Sequence, residues 1–499
     1  MDKNRIPVLV GIGQLVHREK TQIQLDPIKM MEEVCRKAAE DARLDNLRKV
    51  DTLYIVNCIS KVMSKPAQEL SELLGIQPSD TGYSWIGACA PQWFVNRAAE
   101  RIFSGKSELV LICGAEAFYS HEKIQTGDSA SSFFVEDDKA AGSLYIGDVR
   151  KPVSDLEIFY GLMSPLLSYS IFENALRAHN GKSIFDHSRE IASFCSQFSQ
   201  IASRNPYAWF QESKTEDEIA TVTDKNRMVV FPYTKSMCSN MTVNQAAALI
   251  MTNLARAEAM GIPKGKVIFL RGCGNAEDVW LVSERPALWA SPSVADAVNM
   301  ALNQLSISLD EIEYLDLYSC FPCAPRIARK MLNISYNDPR SLTVTGGMSF
   351  FGGPGNNYSL HAICHIVSLL RANPASYGMV QALSWFISKH SVGIYSASPG
   401  KTPWKPLEIP HKVKEYPRVN VVTSATGKGT IESYTIVYNR YSQIDYSIVV
   451  CRDKEDNRFL ARVKPEEGMI EQMTREEPIG RDGRVEHDAS NSTNWFYIE

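Results

Sequence analysis

No excess charge of either sign marks this sequence: over 499 residues, 53 Lys and Arg nearly balance 57 Asp and Glu, for a net charge of -4. No basic run stands out, which argues against broad nucleic-acid or membrane-surface binding. Long apolar runs are missing too. None approaches the roughly 20 residues that span a bilayer, and the apolar run inside MDKNRIPVLVGIGQ is far too short for a secretion signal. A cytoplasmic protein without membrane insertion is expected. Eleven cysteines in so long a chain form no dense framework and read as reduced thiols.

Metal-site patterns are incomplete. His361 and His365 share one helix face in HAICH, but Ala362 stands where HExxH needs a glutamate. Cys320 and Cys323 form a lone CxxC around Phe321 and Pro322. With no second pair, packing at a strand-to-helix junction is expected there, and no metal site.

What is present is the composition of a soluble globular protein, 44% hydrophobic and 22% charged, long enough for two or three domains. The most informative stretch is 82–117, which reads as a strand, a turn carrying Cys89, a helix opened by Pro91 and closed near Gly105, and a buried strand over 109–113. A cysteine at a helix N-terminus sits where thiolate is favoured over thiol, so Cys89 is a nucleophile candidate. The alternative is a small buried residue at a tight turn.

Strands over 8–13 and 50–58, with helices from Asp26 and over 66–74, complete a βαβαβαβ alternation that implies a mostly parallel sheet. From 118 to 233 the pattern turns helical, over 156–179, 188–203 and a polar segment 212–221. The alanine-rich stretch 243–260 reads as a helix and 266–273 as a strand. Residues 293–321 repeat the layout of 28–58, suggesting two fused α/β units with sheets face to face about a shared helical layer. A helix over 358–370 and paired strands over 379–387 and 392–396 close the second unit. After a proline-rich linker, short strands over 432–438, 446–451 and 458–463 suggest a small β-barrel. Tyr434, Tyr438, Tyr441 and Tyr446 there read as barrel packing or a docking surface ahead of a base-stacking platform.

VGIGQ at the start, GACAPQW around Cys89, GKSELVLICGAEA after it, SRNPYAW, LDLYSCFP and TGGMSFFGGPGNN carry a resemblance to the thiolase superfamily. It is closest to the acetyl-CoA acetyltransferase-like branch with an additional C-terminal domain. The resemblance implies an α/β protein with a duplicated five-layer α/β/α/β/α fold and a helical loop-domain insertion, plus a small OB-like C-terminal β-barrel. The implied divisions are an N-terminal half over 1–290 with the insertion at about 118–233, a C-terminal half over 291–398, a linker over 399–417 and the added domain over 418–499. It also implies coenzyme A or an acyl-CoA as substrate under the insertion, with no covalently bound cofactor, a homodimer through the first-half sheet and a place in lipid metabolism.

Cys89 falls in the region of the thiolase nucleophile, the cysteine that forms an acyl-enzyme. Other positions depart from the pattern. Gly352-Gly353-Pro354 stands where thiolases carry Gly-His-Pro, ALSWFISKH has no second cysteine, and Tyr318-Ser319-Cys320-Phe321 replaces Asn-Glu-Ala-Phe. His361 and His390 are the candidates for a replacement base, against the alternative of structural imidazoles. Gly346, Gly347, Gly352 and Gly353, with Ser319, are candidates for lining a coenzyme A tunnel, against a turn needed only for chain geometry. The expected function is acyl transfer from acetyl-CoA or another acyl-CoA through Cys89. The alternative is a catalytically degenerate relative that binds coenzyme A or acyl-CoA or serves as a scaffold.

Overall fold

The computed structural model describes residues 2–19, 25–120, 145–148, 150–402, 404–406, 415–464 and 468–499. Much of the expected linker and the first part of the expected insertion lie outside these residues.

The first half contains β1 (Pro7–Val16), α1 (Pro27–Asp41), β2 (Thr52–Ile55), α2 (Pro66–Leu74), β3 (Asp80–Ser84), α3 (Ala90–Phe103) and β4 (Leu109–Ala117). The insertion follows with β5 (Tyr145–Ile146), α4 (Asp155–Phe159), α5 (Pro165–His179), α6 (Ile184–Ala202), α7 (Glu216–Ala220), β6 (Met228–Val230) and β7 (Tyr233–Thr234). The helix expected over 156–179 is two helices, because Gly161 between them adopts a left-handed φ of +80°. The chain returns through β8 (Asn244–Asn253) and α8 (Leu254–Ala259).

The strand β8 corrects the helix expected over 243–260. Alanine favours helices, and a strand apolar on both faces shows no alternation in sequence. In the fold the alternation is real: Ala246, Ala248 and Ile250 face α1, whereas Ala247, Leu249 and Met251 face the layer of α3. β8 runs antiparallel to both β1 and β4, so the sheet is mixed where a mostly parallel one was expected.

The second half has β9 (Ile268–Glu277), α9 (Pro292–Leu305), β10 (Ile312–Leu317), α10 (Cys323–Met331), α11 (Tyr358–Ala372), β11 (Tyr377–Ser384) and β12 (Lys389–Ser396). The repeat is visible as two matching helix-on-strand contacts. A Cβ at Gly11 or Gly13 would lie about 2 Å from carbonyl oxygens of α1, and one at Gly272 or Gly274 equally close to those of α9. The two half-sheets are continuous, because Val8 and Leu9 pair with Phe269 and Ile268; the order is β10-β11-β12-β9-β1-β8-β4-β2-β3-β5. Side chains of α3 and α11 pack together with residues of both half-sheets, α1 and α2 cover the outer face of the first half, and α9 and α10 that of the second. Those are the five layers.

The C-terminal strands β13 (Gly427–Tyr438), β14 (Ile444–Asp453), β15 (Arg458–Val463), β16 (Asp482–Asp488) and β17 (Thr493–Ile498) run in the order β14-β15-β17-β16-β13. Pairing of β13 with β14 closes them into a barrel. Its interior holds Ile431, Tyr434, Val449, Phe459, Val485 and Phe496. Buried polar contacts dock it on α5: Ser170 Oγ donates to Thr435 Oγ1 at 2.7 Å, Ser433 Oγ to the Ile171 carbonyl at 2.7 Å, and Asn174 Nδ2 to the Tyr434 carbonyl at 3.0 Å. Asn494 N–H donates to Tyr160 Oη at 2.9 Å.

Replacing that acceptor strands a buried N–H, which costs about 1–3 kcal/mol. Tyr160→Phe is therefore expected to lower the chemical-denaturation midpoint of the whole chain, and an unchanged midpoint would remove this contact from the docking energetics.

Candidate functional site

Cys89 is the N-cap of α3, with Pro91 in the first turn, and is 4% exposed. Its turn is held by the second half. Gly87 N–H donates to Asn356 Oδ1 at 3.0 Å, Cys89 N–H to Ser384 Oγ at 2.9 Å, and Ser359 Oγ to the Ala88 carbonyl at 3.2 Å. Asn356 Nδ2 in turn donates to the Asn57 carbonyl at 3.1 Å, so one side chain ties together the ends of both halves. The thiol opens on a narrow pocket of about 30 Å³ lined by Trp85, Trp93, Ser384, Trp385 and Lys389. Lys389 Nζ lies 3.9 Å from Asp148. In the turn after Ser384, Trp385 and Ile387 hold φ of +55° and +61°, a conformation side-chain-bearing residues adopt at a cost of about 1–3 kcal/mol each. Burial pushes the Tyr318 phenol well above its ordinary pKa, with Cys320, Tyr358 and Cys89 adding to the effect.

The two candidate histidines lie elsewhere. His361, on α11, is fully buried with Nδ1 2.9 Å from Gln14 Oε1 on β1, and burial lowers its pKa to about 3. His390 lies in β12, which begins at Lys389 and so takes in residues left between the strands expected over 379–387 and 392–396. Its Nδ1 is 3.0 Å from Gln381 Nε2 and its Nε2 is 3.3 Å from Ser291 Oγ; burial above all brings its pKa to about 4. Neither ring lines the thiol pocket. Both are neutral imidazoles with amide partners.

The glycine-rich segment is packed on protein. A Cβ at Gly346 would lie 2.5 Å from Ala202 Cα on α6, one at Gly347 2.4 Å from the Phe198 ring, one at Gly352 2.6 Å from Gln245 Oε1, and one at Gly353 2.3 Å from Ser239 Oγ. The direction in which a side chain at position 353 would leave the backbone is thus taken by Ser239. Ser319 Oγ lies 3.4 Å from Tyr358 Oη and accepts from Met348 N–H at 3.3 Å. Among the described residues no group of three or more potential ligands could hold a metal ion, and no helix is long and apolar enough to cross a membrane.

Asn356, Ser359 and Ser384 hold the turn that carries the thiol without having been named as site residues from sequence. The signals available were the polar pair Asn356-Asn357 after GGPG at a helix start and, for Ser384, its place in ALSWFISKH, where the resemblance puts the second thiolase cysteine.

A family model described as the thiolase-like protein type 1 additional C-terminal domain matches residues 408–490. A monomeric SCP2-thiolase-like protein type 1 from Mycobacterium smegmatis shares 30% identity over 100% of both chains, with a TM-score of 0.85. The chain belongs to the SCP2-thiolase-like protein type 1 family. Two further structures show the shared fold of the thiolase body. The Ltp2-ChsH2(DUF35) aldolase is 16% identical over 79% of this chain and 98% of its own, with a TM-score of 0.60. Acetyl-CoA acetyltransferase from Syntrophomonas wolfei is 15% identical over 79% and 99%, with a TM-score of 0.56. No curated protein sequence matches the chain.

In this SCP2-thiolase-like type 1 protein, the outer edge of β3, the strand edge of the first-half sheet, pairs with β5 through Tyr83–Tyr145 and Ser84–Ile146.

Two outcomes follow from the packing and burial. Gly346→Ala forces a Cβ onto α6 at a φ of +107°, and is expected to destabilise the chain by on the order of 3 kcal/mol in denaturant titration. For His361 the folded pKa of about 3 lies below the ordinary histidine value of 6.5, so the unfolded chain binds more proton between them and stability falls as pH drops through that window. His361→Gln removes that contribution. Its loss of stability between pH 7 and pH 5 should be smaller than the parent's, as read by urea unfolding.

Proposed function

We propose that this protein is an acyltransferase of reduced thiolase type, in which Cys89 accepts an acyl group from an acyl-CoA and passes it to a second acceptor. The observation that carries the reading is the position of Cys89 at the N-terminus of α3, where the positive end of the helix dipole favours negative charge. In the first step the Cys89 thiolate attacks the thioester carbonyl. The bond to Cys89 sulfur forms as the bond to coenzyme A sulfur breaks, and the departing thiolate takes up a proton.

Forming a carbon–carbon bond would need in addition a base to remove a proton beside the carbonyl. Gly353 offers no side chain, and neither His361 nor His390 lines the thiol pocket. The reading therefore stops at acyl transfer. The Syntrophomonas wolfei protein of this fold is an acetyl-CoA acetyltransferase, which makes acetyl-CoA the first donor to try, and a cytosolic role in lipid metabolism accompanies this reading.

A second reading, a scaffold protein without turnover, is favoured by one observation. Phe321 stacks between Tyr169 at 4.8 Å and Tyr233 at 5.6 Å, filling space under the insertion with protein rings.

The full chain incubated with labelled acetyl-CoA, quenched and mapped by peptide mass spectrometry should carry acetyl on Cys89. Cys89→Ala should abolish both the adduct and coenzyme A release. Absence of an adduct, with coenzyme A binding retained in calorimetry, would replace acyl transfer by a binding role.

A further inference from the structure

A second and larger cavity lies on the seam between the insertion and the second half. It has a volume of about 400 Å³, its walls come from α6, α10 and the segment 336–342, and it shares no lining residue with the thiol pocket. That volume is within the range of about 300–1,000 Å³ that holds small organic ligands.

Four guanidinium groups line it: Arg204, Arg326, Arg329 and Arg340. Two are neutralised by the protein. Arg326 pairs with Glu173 and Glu190, each at 2.6 Å, and Arg340 with Asp338 at 2.6 Å. The other two make no ion pair among the described residues. Arg204 is exposed and has no ion pair or side-chain hydrogen bond among the described residues. Arg329 donates to the backbone carbonyls of Ile334 and Ser335 and makes no ion pair among the described residues; burial lowers its pKa, and Asp338 and Glu190 offset only part of that. A guanidinium fork is suited to bidentate pairing with phosphate oxygens.

Three aromatic rings share the lining with the carboxylates Glu190 and Asp338 and with neutral side chains. Phe194 and Phe198 lie side by side with centroids 4.4 Å apart. Tyr336, 66% exposed, is covered on one face by the Arg329 guanidinium at 4.5 Å, which leaves its other face open. Exposed aromatic faces beside unpaired arginines are the chemistry that holds a flat base joined to a phosphate.

We propose that this cleft binds a nucleoside phosphate, the phosphate between Arg204 and Arg329 and the base against Tyr336 and Phe194. The site goes beyond the acyl-transfer reading and does not depend on it. Its occupant bridges α6 and α10, so binding clamps the insertion onto the second half.

The test is calorimetric titration of the full chain with AMP, adenosine, inorganic phosphate and coenzyme A. AMP is expected to bind saturably below millimolar concentration, adenosine at least about tenfold more weakly, and phosphate to compete. Coenzyme A displacing AMP would identify the nucleotide part of that molecule as one source of the ligand; failure to displace it would point to free nucleotides. Arg204→Gln, which removes no internal contact, should weaken AMP about tenfold, and Arg329→Lys, which keeps the charge but loses the fork, should weaken it as well. Cys89→Ala should leave AMP affinity unchanged. No saturable AMP binding, adenosine binding equal to AMP, AMP binding no tighter than phosphate, or AMP affinity unaltered in Arg204→Gln or lost in Cys89→Ala would each overturn the proposal.

Discussion

A single buried carboxylate holds the insertion to the body of the protein. Glu173 on α5 is fully buried and takes Arg326 of α10 at 2.6 Å, His187 of α6 at 2.8 Å and the hydroxyl of Tyr233 at 2.8 Å. Burial alone raises its pKa; Arg326, His187 and Tyr233 together more than offset that and hold it below the usual carboxylate range. Stripping one partner from such a buried charge costs about 3–5 kcal/mol, so the three segments are locked as one unit.

Much else depends on where that lock places α5. One face of the helix puts Tyr169 onto Phe321, and the remainder meets the C-terminal barrel through Ser170, Asn174 and the Arg177–Glu477 ion pair. Arg326, spent on Glu173 and Glu190, becomes a neutral wall of the cleft, which is why Arg204 and Arg329 are left as its charge. The same helix thus links the barrel, the aromatic stack and the cleft.

The thiol site follows a parallel rule, in which contacts from distant parts of the chain fix a short local turn. Asn356 and Ser384, from the second half, accept the N–H groups of Gly87 and Cys89. They set geometry without supplying a proton acceptor to sulfur. The imidazoles that could have done so are held by Gln14 and Gln381 in the interior.

The sequence by itself determined the duplicated α/β body, the helical insertion and the C-terminal barrel, because these rest on local periodicity, caps such as Pro27 and Pro91, and turn glycines that act within a few residues. It also placed Cys89 at a helix start, and showed Gly353 in the position of the thiolase histidine. It did not reveal β8, since a strand buried on both faces and rich in alanine has no pattern to distinguish it from a helix. Nor did it show that His361 and His390 stay out of the thiol pocket. Those outcomes depend on which residues more than 200 positions apart meet across the middle layer: Gln14 with His361, Ser384 with Cys89, Asn356 with Gly87. Only the tertiary structure decides such pairings, because direct hydrogen bonds act over about 3 Å of space and take no account of separation along the chain.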